Sequence, residues 1–152
     1  MAIKLTSLRA DTRRENDGDW IEIPDLPGVS LKVRGTAYGP FQTARSLLLA
    51  KWARKYPRDV PPANVEYEGN GRLYADHILL GWRGFASDDG ADLPYDAHTA
   101  EQILLDPAYR ELHEHIRYAM TRVSQVETEY VEAAAGNSER SSDNNSKSPR
   151  AA

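Results

Sequence analysis

The sequence predicts a mainly α-helical fold with a short N-terminal β-hairpin, a small helical domain ending in one long C-terminal helix, and a disordered tail. Three observations carry this reading. Two short alternating runs of β-formers flank a Pro- and Gly-containing break within residues 20–34. Apolar residues then recur at helical spacing in four later stretches, and residues 136–152 contain no large apolar side chain. A chain of 152 residues with 40% hydrophobic content has the size of one domain, placed here at 19–135.

Residues 1–18 mix Arg9, Arg13 and Arg14 with Asp11, Glu15 and Asp17 among few large apolar groups, which predicts a flexible arm. Trp20-Ile21-Glu22-Ile23 and Val29-Ser30-Leu31-Lys32-Val33 alternate on either side of Pro24, Pro27 and Gly28, forming the hairpin of 20–34. An isolated hairpin is marginal in water, so it must lie against helices. Gly39-Pro40 starts a helix over about 40–56, stopped by Pro57. Its face of Phe41, Ala44, Leu48 and Trp52 also carries Arg45, while Leu47 stands apart, so apolar and basic groups occur on more than one side.

Pro57, Pro61 and Pro62 stiffen the next connector, and Gly69-Asn70-Gly71 breaks the chain before a helix over 71–82. Asp88-Asp89-Gly90 is a turn, Leu93-Pro94-Tyr95 is extended, and Asp96 caps a helix over 97–105. Asp106-Pro107 opens the longest pattern: Tyr109, Leu112, Ile116, Ala119, Met120, Val123, Val126 and Tyr130 share one side of a helix over 107–134. Such a helix is roughly 40 Å long, so its last turns project and offer a surface for self-association. The tail, 136–152, cannot bury enough surface to offset its ordering entropy.

Composition narrows the function. The absence of cysteine excludes disulfides, thiolate nucleophiles and cysteine-rich metal modules. A net charge of −4 argues against nucleic acid as a partner, and no stretch approaches the ~20 apolar residues of a membrane helix. The small total conceals opposed segments: residues 39–57 carry +4 without an acid, and 86–106 carry −6 without a Lys or Arg. In His113-Glu114-His115 the two imidazoles stand about 200° apart on a helix and cannot converge on one ion. Asp88, Asp89 and Asp92 lack the ligand spacing of a calcium loop. No nucleophile elbow and no phosphate-cradling loop is present, so no catalytic residue, metal or cofactor is nominated and the chain is read as non-enzymatic.

The run Ile78-Leu79-Leu80-Gly81-Trp82-Arg83-Gly84-Phe85, followed by Asp88-Asp89-Gly90, Leu93-Pro94-Tyr95 and Ala100-Glu101-Gln102-Ile103-Leu104-Leu105, resembles the tail assembly chaperones of long-tailed bacteriophages. The similarity covers about 19–126, with 20–34 matching the hairpin that precedes the first helix there. It implies a non-enzymatic helper in the host bacterial cytoplasm that binds the tape measure and tail tube proteins during tail morphogenesis. A tail-completion or connector subunit retained in the virion is the alternative, and a small DNA-binding regulator using Arg45, Lys51, Arg54 and Lys55 a second. Candidate partner-binding residues are Arg45, Leu47, Lys51, Trp52 and Arg54 of the mixed-face helix, Trp82, Phe85 and Tyr95 of the motif, and Tyr130.

Overall fold

The computed structural model describes residues 1–126, 130 and 131, which fall into two units: Asp11–Gln125, and Met1–Ala10 with Val126, Tyr130 and Val131. In the smaller unit Ala2–Ile3 (β1) pairs antiparallel with Tyr130–Val131 (β5, last in chain order), and Leu5–Leu8 forms a 3₁₀ turn. The larger unit starts at Asp11, whose carboxylate accepts from the Arg14 amide at 3.0 Å and caps α1 (Thr12–Asp17). Part of the stretch read as a flexible arm is therefore built in: Glu15 is buried, and its carbonyl accepts from the Gly35 amide at 3.0 Å.

The expected hairpin is β2 (Asp19–Glu22) and β3 (Ser30–Val33), but it is two-thirds of an antiparallel sheet completed by β4 (Leu79–Arg83), in the order β2-β3-β4. The row Ile21–Leu31–Trp82 faces inward, and Trp20–Lys32–Gly81 outward. Against the inner face packs α5 (Arg110–Ser124), burying Ile116, Ala119, Met120 and Val123 with Leu31 and Val33. On the outer face, where Gly81 leaves room, the Trp20 ring lies close to that residue and the Arg83 guanidinium stacks 3.7 Å from the ring centroid.

Two helix expectations are corrected. Residues 71–82 are not one helix: α3 (Ala63–Leu73) begins after Pro62, runs through both glycines, widens into a π turn at Tyr74–Ile78 and passes into β4. The glycines serve close packing instead of a break. A Cβ at position 69 would meet the Trp52 ring at 2.6 Å, and one at 71 would overlap the Leu104 carbonyl. The helix expected over 107–134 is a 3₁₀ turn, Pro107–Tyr109, followed by α5, and it stops at Ser124 with Gln125 extended. There the Ser124 hydroxyl accepts from the Thr36 amide at 2.8 Å, in a stretch where Val123, Ser124 and Val126 weaken helix propensity. The projecting turns expected for self-association are thus not part of α5. The tail read for 136–152 lies outside the described residues.

Elsewhere local signals set the boundaries. Helix α2 (Gly39–Lys55) has Pro40 in its first turn and ends before Pro57, burying only Phe41 and Trp52. Helix α4 (Ala97–Leu105) is capped by Asp96, which accepts from the Thr99 amide and hydroxyl, each at 2.9 Å. These bonds hold the Asp96 carboxyl below its usual range. Asp96→Ala should lower the Tm by a few degrees while Asp96→Asn, which keeps the acceptor, stays near the parent; thermal melts followed by circular dichroism check this.

Candidate functional site

Trp82 anchors an aromatic cluster. Its indole N–H donates to the Leu93 carbonyl at 2.9 Å, and Phe85 and Tyr95 meet it edge-on at centroid distances of 5.7 and 5.1 Å. Gly84 makes the arrangement possible: with φ at +94° and a Cβ that would overlap the Gly28 carbonyl, it turns the chain so that Phe85 returns beside Trp82. Tyr95 is held by its hydroxyl, 3.3 Å from the Leu79 carbonyl. The acidic turn follows, with Asp89 accepting from the Ala91 amide at 3.0 Å and from the Ser87 hydroxyl.

Between this cluster, α4 and α5 lies an open cleft of about 570 Å³. Leu26, Trp82, Phe85, Leu93, Ile103 and Leu112 give it an apolar wall, Tyr109 stands half-exposed at the side, and Asp88, Glu111 and His115 supply polar groups with no Lys or Arg among the lining residues. Such a cavity can take apolar side chains, with acid groups placed to receive neighbouring cations.

Within α5 sits a buried histidine that sequence reasoning missed. His113 Nε2 lies 2.8 Å from the Leu104 carbonyl, which requires it to carry the proton and donate. The ring stacks on Tyr67 at 4.0 Å and meets the Tyr74 edge at 5.2 Å. Burial pushes its pKa down, with the bond to Leu104 opposing. The signal was present: 113, 116, 120 and 123 form one helical row. His115 instead lines the cleft, and among the described residues no three His, Asp or Glu side chains gather where they could hold a metal ion.

Residues 36–137, well over half of the chain, match the family described as YdaY prophage protein. The chain belongs to the YdaY prophage protein family. No curated protein and no solved structure matches it. The YdaY region takes in α2 to α5 and β4, and hence almost all of the cleft lining apart from Leu26.

Within it the predicted residues divide. Trp82, Phe85 and Tyr95 come together as described, Trp82 buried and the other two half-buried. Trp52 is buried against Gly69 and offers no surface. Leu47 is 68% exposed, with Lys51 and Arg54 also exposed near it on one side of α2, whereas Arg45 lies about 160–180° from Leu47 and Arg54. The basic residues of α2 therefore do not form a single stripe. Of Tyr130 only the backbone is described, paired with Ile3. No helix among the described residues is long and apolar enough to cross a membrane.

Proposed function

We propose that this prophage protein is a tail assembly chaperone: a non-enzymatic factor that binds the tape measure protein, the tail tube protein or both in the host bacterial cytoplasm while tails are built. The observation that carries the reading is the Trp82 cleft, about 570 Å³, apolar inside and acidic at its edge, which suits an apolar segment flanked by basic residues. A partner covering it would shield the half-exposed Tyr109 and the apolar side chains behind it, the arrangement a holding factor needs. Trp82 and Phe85 of the phage-type motif Gly81-Trp82-Arg83-Gly84-Phe85 form part of the wall of the same cleft.

The test is co-expression with the tape measure protein of the same prophage. The parent chain should co-purify with it, and Tyr109→Glu, which places a charge at the cleft side, should abolish co-purification. Val60→Glu, at a 73% exposed residue outside the cleft, should leave it intact. Failure of the parent to bind soluble, folded tape measure or tube protein overturns the reading. Stoichiometric copies of the chain in purified particles, measured by mass spectrometry, would do so in favour of a virion subunit.

A further inference from the structure

A second cleft, of about 430 Å³, lies between α2, α3 and α5 and has the opposite character. Arg45 comes from α2 and Arg117 from α5, and no acid is among the lining residues. Among the described residues the Arg45 side chain makes no ion pair and no hydrogen bond. Arg117 is oriented from behind, donating to the Tyr74 hydroxyl at 3.3 Å and pairing with Glu114, which leaves part of its five-donor fork unused. Asn70 of α3 lines the same cleft, while Phe41 and Met120, both buried, supply apolar floor.

We infer that this cleft binds an acidic segment of a partner polypeptide, with a carboxylate received by Arg45, Arg117 and Asn70 and an adjoining apolar side chain laid on Phe41 and Met120. Two guanidinium groups with a neutral amide match the planar, two-oxygen geometry of a carboxylate. The apolar floor gives a peptide something to cover that a free inorganic anion lacks. Nucleic acid fits less well, because its affinity comes from many phosphate contacts and Lys51 and Arg54 point elsewhere. The inference does not depend on what fills the Trp82 cleft, since Tyr109→Glu tests that face and Arg45 variants test this one.

The probe is a fluorescein-labelled peptide of Glu residues interleaved with Leu and Phe, titrated with the full chain and read by fluorescence anisotropy, with a Gln-for-Glu peptide as control. The Glu peptide should bind, weaken as salt is raised, and lose roughly tenfold or more in affinity with Arg45→Gln, the scale of one charge-assisted hydrogen bond. Arg45 is exposed and unpaired, so that variant should fold as the parent does, with circular dichroism as the check. Equal binding of the Gln peptide, or undiminished binding by Arg45→Gln, overturns the inference. A stronger response to a single-stranded oligonucleotide overturns it in favour of nucleic acid. Salt-sensitive dimerisation that Arg45→Gln removes, seen by light scattering without peptide, overturns it in favour of a second copy.

Discussion

Gly71→Ala should cost the Asp11–Gln125 unit about 3 kcal/mol or more, a large share of the 5–15 kcal/mol typical of a domain. The new Cβ would overlap the Leu104 carbonyl oxygen and come within 3.4 Å of His113 Nε2, so α3 and the end of α4 must part. Displacing the Leu104 carbonyl also stretches its hydrogen bond from His113 of α5, which leaves a buried donor and acceptor unpaired on top of the steric cost. Neither neighbour is a flexible side-chain tip that can swing away. Gly39→Ala is the control, because a Cβ there meets nothing within 4 Å, and it should be neutral or slightly stabilising. Urea titrations followed by tryptophan fluorescence give both values. A Gly71→Ala midpoint equal to the parent's would mean that α3 and α4 do not approach as described.

His113→Leu should cost roughly 2–4 kcal/mol, combining an orphaned Leu104 carbonyl with the loss of the Tyr67 stack. The same residue makes stability depend on pH. Its folded pKa lies below the ordinary 6.5, so between the two values the unfolded chain binds more protons than the folded one. The neutral ring's full contribution is present above about pH 6.5, and stability declines as the pH falls below that value until the folded-state pKa has been passed. Denaturant midpoints measured across this range should fall on acidification for the parent and lose that component in His113→Leu. A variant that retains the whole slope would assign it to other groups.

The parts of the fold legible in the sequence are those set by neighbours along the chain. Pro40 and Pro57 bracket α2, Asp96 starts α4, and alternation marks β2 and β3, because caps, proline and period two act within a few residues. Strand β4 was not legible: Leu79-Leu80-Gly81-Trp82 is a short apolar run that either period accommodates, and only pairing with β3 decides it. Gly69 and Gly71 carry the same ambiguity, since close packing and chain breaking select the same residue. The end of α5 depends on Thr36, distant in sequence, reaching Ser124. For the candidate site, the motif singles out Trp82, Phe85 and Tyr95, and unbalanced charge singles out Arg45. What brings Leu26, Ile103 and Leu112 to one wall, or Arg117 and Asn70 to Arg45, is tertiary and leaves no local trace.

The order in which the sheet is made has a consequence for a chain leaving the ribosome. Strand β3 can pair with β2 as soon as residue 33 is free, but its other edge waits for β4 at Leu79, and the inner face waits for α5 at Arg110. Leu31 and Val33, fully buried at the end, therefore stay uncovered through most of synthesis. The Trp82 cleft is completed only when α5 docks. A nascent chain consequently has no finished Trp82 cleft until translation has passed α5.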